Sequence, residues 1–237
     1  GNVRPTVMFG GNKHIVDTSM CGTGKTFAAA TLVFEQHTIR DTKWKEGVLV
    51  ILGINPTDLR GDPRERRYKK AVTAVAAYEE ALPPFAGDRV IILVHRIMLG
   101  VAMMDAYFEL LGFESYQKNP HAKRLIICIN SLHLNTGVNA VPWDLVIVDE
   151  VTEVLKSLST LERKGRDDGC WNTWKYFRQV MSSAKRTICM SAVADAMVDN
   201  ALKDIGVDCH WQMNGAPPVN PIKYHIMYFQ ELSDSTN

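Results

Sequence analysis

The 237-residue chain is 46% hydrophobic and 22% charged, with 27 basic against 26 acidic residues. That composition excludes a disordered tail and a uniformly basic nucleic-acid binder, so any phosphate-binding face must be local. A chain of this length buries roughly 70% or more of its unfolded surface, which permits one large core without disulfides or a structural metal.

The first apolar run, Ile15-Val16-Asp17, reads as a strand, and Ser19-Met20-Cys21-Gly22-Thr23-Gly24-Lys25-Thr26 follows it. A helical pattern covers Lys25 to His37. Strand, glycine-rich turn and helix start are the context of a phosphate-binding P-loop. Gly22 and Gly24 allow the bend that turns successive N–H groups inward, and the helix N-terminus adds partial positive charge. Lys25 is expected to bridge the β- and γ-phosphates of ATP, and the Thr26 hydroxyl to ligate Mg²⁺. Ser19 stands where the motif usually begins with glycine, and it is small enough for the turn.

Val48–Leu52 is a second strand candidate. Residues 55–70 carry Pro56, Gly61, Pro63 and the basic run Arg60, Arg64, Arg66, Arg67, Lys69, Lys70, diluted by Asp58, Asp62 and Glu65. The segment reads as an inserted, solvated loop rather than a nucleic-acid contact. A helical pattern over Tyr68–Leu82 precedes the strand Val90–Val94, after which come His95, Arg96 and a helical pattern over Leu99–Leu111. His95, Arg96 and Asp105 interrupt the apolar stretch 90–113, so it does not span a membrane.

Leu125–Ile129 and Leu145–Val148 read as further buried strands, continuous in Val, Ile and Leu as strands covered on both faces are. Asn130-Ser131-Leu132 follows the first and Asp149-Glu150 the second. In an open parallel sheet ligands sit beyond the carboxyl ends of the strands, so this acidic pair should face the same crevice as the P-loop. Asp149 is expected to hold the Mg²⁺ shell, and Glu150 to polarise a water for in-line attack on the γ-phosphate. Two solvated acids at a helix start are the plainer alternative, and the P-loop argues against it.

Residues 162–174, with Gly165, Gly169, Trp171 and Trp174, read as a second insertion. Its tryptophans are expected to pack rather than to stack on bases. A last strand, Thr187–Met190, ends in Ser191-Ala192, and a helical pattern covers Ala194–Ile205. From Gly215 the tract Gly-Ala-Pro-Pro-Val-Asn-Pro reads as a linker, followed by the strand-like Tyr224–Phe229. Residues 1–214 are therefore expected to form one domain, with 215–237 the linker and the start of another. The missing initiator Met and the polar C-terminus read as a piece of something longer. Five scattered cysteines without a C-x-x-C pair read as reduced thiols of an intracellular protein.

P-loop, Asp-Glu and Ser-Ala-x in this order resemble motifs I, II and III of superfamily 2 helicases. "SMCGTGKT", "IILVHRIML", "RLIICINSLHL", "WDLVIVDEVTEVL" and "KRTICMSAVADAMVDNAL" together resemble the ATPase half of the herpesvirus-type origin-of-replication-binding proteins of large DNA viruses. That resemblance implies an α/β, RecA-like P-loop NTPase domain, a mostly parallel sheet of about six strands with helices on both faces. It implies ATP and Mg²⁺ as cofactors, DNA as partner, a second RecA-like domain carrying the catalytic arginines, and no membrane association. Location would be the host nucleus or a viral replication site. Residue by residue, it implies that His95 and Arg96 touch a DNA backbone and that Asn130 and Ser131 extend the same track. Ser191 and Ala192 would couple the ATP state to the grip on DNA; Val193 stands where the family often has Thr. A P-loop kinase or GTPase-like switch would need a base-specificity motif or a lid arginine helix, and neither is visible. A nucleic-acid-binding module with a vestigial ATP site is opposed by the intact Lys25, Thr26, Asp149 and Glu150.

Overall fold

A computed structural model describes residues 12–37, 86–134, 141–163 and 169–213. The expected strands at 48–52 and 224–229, the helix at 68–82, the insertion at 55–70 and the linker from 215 lie outside the described residues.

Seven strands form one sheet: β1 (His14–Asp17), β2 (Val90–Val94), β3 (Glu114–Ser115), β4 (Arg124–Cys128), β5 (Leu145–Asp149), β6 (Thr187–Met190) and β7 (His210–Gln212). The order across the sheet is β3-β4-β2-β5-β6-β1-β7, and every neighbouring pair is parallel. This is the expected α/β, RecA-like arrangement, in which β6 lies between the strand leading to the glycine-rich loop and the strand ending in the acids. β3 and β7 were not foreseen. At two and three residues they carry too few apolar positions to stand out, and the sheet edge recruits them through backbone hydrogen bonds.

The strands' period-two alternation builds two cores. Ile15, Ile92, Ile126, Ile147 and Ile188 face one side, covered by α1 (Lys25–His37), α2 (Ile97–Met103) and a π-helical turn at Met104–Phe108. Val16, Ile91, Leu93, Ile127, Val146 and Val148 face the other, covered by α3 (Val151–Arg163), α4 (Gly169–Ser183) and α5 (Ala196–Asp204). At roughly 25 cal/mol per Å² of apolar surface removed from water, these two layers are the main stabilising term.

Three boundaries correct the sequence reading. The expected helix at 99–111 starts earlier, at Ile97, and widens into the π turn, where the Glu109 N–H donates to the Met104 carbonyl at 3.1 Å. The helix expected from Ala194 begins at Ala196, because the Asp195 side chain caps it by accepting from the Met197 N–H at 2.9 Å. The expected insertion at 162–174 is in part helix. α3 runs to Arg163 and α4 starts at Gly169, because apolar side chains such as Phe177, Val180 and Met181 must reach the second core. Trp174 packs against that core and stacks on Phe177 at 5.8 Å, as expected of a packing residue.

A buried polar cluster closes the amino-terminal edge of the sheet. His37, the fully buried last residue of α1, donates through Nδ1 to the Gly87 carbonyl at 3.0 Å, and its Nε2 accepts from Arg186 Nη2 at 2.8 Å. Arg124 donates to the His37 and Leu111 carbonyls. Burial, then the neighbouring Arg186 guanidinium, push the His37 pKa down to about 4. The neutral ring is therefore worth most above pH 6.5, and its contribution is lost as pH falls from 6.5 through 4. Urea unfolding should show a loss of stability over this range that is smaller, by about 2 kcal/mol, in His37→Gln. An unchanged pH profile in that variant would remove the protonation cost from His37.

Candidate functional site

Because all strands are parallel, the glycine-rich loop, Asp149-Glu150, Ser191, His95-Arg96 and Asn130-Ser131 all emerge from one edge of the sheet. Register places them together: Met190 is level with Asp17 on one side and with Asp149 on the other. Two strand spacings, roughly 10 Å, therefore separate the end of the loop strand from the acid. Ser191 stands between them.

The glycine-rich loop, residues 18–24, leaves β1 and turns into α1. Gly22 and Gly24 sit at φ 77° and 85°, where a side chain would be strained, so glycine is needed at both. The loop is held from inside. The Ser19 N–H donates to Asp17 Oδ1 at 2.9 Å, and Thr23 Oγ1 to the Met20 carbonyl at 2.8 Å. Lys25 Nζ crosses the loop to the Ser19 carbonyl at 2.6 Å and the Met20 carbonyl at 3.1 Å. β7 adds a brace that sequence reasoning missed: the Gln212 carbonyl accepts from Thr18 N–H at 2.9 Å and from Thr18 Oγ1 at 3.1 Å. Thr26 lies in the first turn of α1, half-buried; Met20 and Cys21 are exposed at the loop tip.

Asp149 ends β5, 7% exposed. Burial, then the charge of Glu150, raise its pKa to about 6, against the opposing charge of Lys25. A buried carboxylate so short of positive charge is a fitting ligand for a divalent cation. Among the described residues no cluster of three His, Cys, Asp or Glu could hold a metal. Mg²⁺ takes one or two carboxylates and completes its shell with phosphate oxygens and water. Thr26 and Asp149 would hold it.

Glu150 is the only described non-glycine residue with positive φ, 53°. That conformation costs on the order of 1 kcal/mol and clusters at functional positions. It turns the chain from β5 into α3 and brings the carboxylate over β6, where Ser191 Oγ donates to Glu150 Oε2 at 3.2 Å. Thr152, which sequence reasoning passed over, joins the network: its Oγ1 lies 3.1 Å from Ser191 Oγ and donates to the Val193 carbonyl at 3.2 Å. The Val193 N–H donates back to Ser191 Oγ at 3.3 Å. Val193 lacks a hydroxyl, and its main chain does the bonding. The signal was available in Thr152, a hydroxyl two residues past the acid pair at the start of a helix.

The remaining candidates line the same edge further along. Arg96 is exposed at the start of α2, and His95 is half-buried with Nδ1 lacking a partner among the described residues. Asn130 is exposed on a 3-10 turn, Ile129–Leu134, and Ser131 Oγ donates to Tyr116 Oη at 3.0 Å. Ser191 is fully buried, so its reach is through Glu150, Thr152 and the backbone; Ala192 beside it is half-buried. Cys21, Cys128, Cys189 and Cys209 are free thiols. No described helix is long and apolar enough to cross a membrane.

Asp149 carries a stability cost that the site's chemistry requires. Its raised pKa means that the folded chain holds a proton between pH 4 and 6 that the unfolded chain has released, so this group favours folding in acid and opposes it above pH 6. Asp149→Asn should therefore raise the melting temperature at pH 8 by a few degrees, with little gain at pH 4.5. Equal gains at both values would place the effect elsewhere than in the buried charge.

The fold places the chain among α/β domains with a RecA-like parallel sheet. No protein-family model matches it, and no curated protein matches it. Among solved structures it is similar to the Sulfolobus solfataricus SWI2/SNF2 ATPase core in complex with dsDNA, at 11% identity over 86% of this chain and 41% of that one, TM-score 0.40. It is also similar to Mss116p, bound to ssRNA and AMP-PNP, at 14% identity over 86% of this chain and 37% of that one, TM-score 0.42. The chain thus spans about two fifths of the length of these solved structures.

Proposed function

We propose that the chain is the ATP-binding domain of a nucleic-acid-dependent ATPase of helicase type. The observation that carries this reading is the register of β1, β6 and β5, which sets the glycine-rich loop and the Asp149-Glu150 pair at one strand edge with Ser191 between them. Backbone N–H groups of residues 20–22 and 24, with Lys25, would take the phosphates of ATP. Thr26 and Asp149 would hold Mg²⁺, which when bound neutralises charge developing on the transferred phosphoryl group. Glu150, its carboxylate oriented by Ser191, would align the attacking water and accept its proton. The Ser191–Thr152–Val193 network would carry a change at Glu150 into the β6–α5 loop.

His95, Arg96, Asn130 and Ser131, on the same edge, are assigned to a nucleic-acid backbone. The finer reading is a DNA-replication helicase of the origin-binding type, acting inside the cell and jointly with a second RecA-like domain. It is supported by the sequence segments quoted above, with residues 1–214 as the ATP-binding domain and 215–237 as the linker.

The test uses Cys21, exposed in the loop near the α1 N-terminus and Lys25. Mg-ATP should protect it from alkylation, read by mass spectrometry, while the buried Cys189 stays unreactive throughout. Labelled ATP titrated into the same sample should saturate. Equal labelling of Cys21 with and without Mg-ATP, together with no saturable binding, would overturn the assignment of the loop.

A further inference from the structure

α2 leaves three large apolar side chains in water: Ile97 is 46% exposed, Met98 75% and Val101 44%. Contiguous exposure of this kind on a soluble domain marks an interaction surface. Ile97 and Val101, one helical turn apart, form the rim of a groove whose floor is Val94, Ile126 and Cys128 of the sheet and whose wall is Tyr116. The groove holds about 170 Å³. Small-molecule sites run roughly 300–1,000 Å³, so this space suits an inserted side chain rather than a cofactor.

The far end is acidic. Asp105 and Glu109 both line the groove and are both exposed, and among the described residues neither has a cationic partner. The π turn supplies Met104 and Asp105 to the lining, and Glu109 follows it directly. Such turns are rare and recur at functional sites. Two exposed carboxylates beside an apolar slot repel a phosphate backbone and attract Lys or Arg.

We propose that this groove docks a partner protein through a short segment that inserts an apolar side chain between Ile97, Val101 and Tyr116 and sets a basic residue against Asp105 and Glu109. The seat adjoins both halves of the site. Tyr116 is bonded to Ser131 beside Asn130, and Tyr107 of the π turn packs edge-on against Phe27 of α1 at 5.7 Å. A bound segment thus meets Tyr116, whose hydroxyl is bonded to Ser131 of the Asn130 turn.

The experiment uses the 237-residue chain and two fluorescein-labelled amphipathic peptides, one of Leu and Lys and one of Leu and Glu, read by anisotropy. The Leu–Lys peptide should bind the wild type and weaken about tenfold in Val101→Glu and in the pair Asp105→Lys, Glu109→Lys. The charge-reversed pair should also gain binding to the Leu–Glu peptide, an outcome that damage to the fold cannot produce. Both carboxylates are exposed, so this pair decides the matter even if Val101→Glu unfolds. Equal binding of the Leu–Lys peptide to all three proteins, or none to the wild type, would overturn the proposal. A labelled single-stranded oligonucleotide that loses affinity in Val101→Glu and gains it in the charge-reversed pair, with no peptide response, would make the groove a nucleic-acid subsite instead.

Discussion

Lys25→Ala should weaken nucleotide binding by about two to three orders of magnitude and leave the chain folded. The Lys25 ammonium lies across the glycine-rich loop, donating to the Ser19 and Met20 carbonyls, and it is the positive charge nearest in effect to Asp149. ATP would replace those carbonyls by phosphate oxygens, which carry full charge and form stronger bonds with it. Truncating one partner of such a pair costs roughly 2–5 kcal/mol, so affinity should fall by about 10²- to 10³-fold. The loop keeps its shape without it, because Asp17, Thr23 and Gln212 hold it through separate bonds. Glu150→Gln should differ in kind. It preserves size and can still pair with Ser191, so Mg-ATP binding should persist within a few-fold, while turnover drops by roughly 10²- to 10⁴-fold with the loss of the base. Calorimetry with Mg-ATP on both variants, and phosphate release from a longer protein carrying the proposed second domain, separate the two roles. Equal loss of binding in both would sink the assignment of Glu150.

On the proposed reading, the 237-residue chain by itself should turn ATP over slowly and gain little from single-stranded DNA. Phosphoryl transfer depends mainly on positioning and charge stabilisation, and an arginine brought from another domain is worth roughly 10³–10⁵ in rate. In the described site the cation opposing Asp149 is Lys25. On the proposed assignment, His95, Arg96, Asn130 and Ser131 would present one side of a nucleic-acid track, too few phosphate contacts for tight binding at physiological salt. Steady-state phosphate release with and without single-stranded DNA is the measurement. Stimulated turnover of roughly 1 s⁻¹ or faster, a typical enzyme rate, would show that the catalytic arginine lies in this chain or comes from a second copy of it.

The sequence by itself determined the class of fold and singled out the glycine-rich loop as a candidate phosphate site. Runs such as Val90–Val94 and Leu145–Val148 are apolar at every position, which only a strand covered on both faces tolerates, and the structure places them at the middle of the sheet. Gly22 and Gly24 were legible because the conformations they adopt strain any other residue. The short edge strands β3 and β7 were not legible, since partners distant in sequence define them. The helices on either side of 164–168 were masked by glycines and charges, and only the need to cover Val146 and Val148 makes them helical. The tertiary structure alone decided the level register of Asp17, Met190 and Asp149, the strained Glu150 and its bond to Ser191, and the part played by Thr152. The reason is physical. Local pattern reports what a residue's neighbours in the chain allow, whereas a carboxylate's orientation and pKa depend on which strand lies beside it and how much water is left.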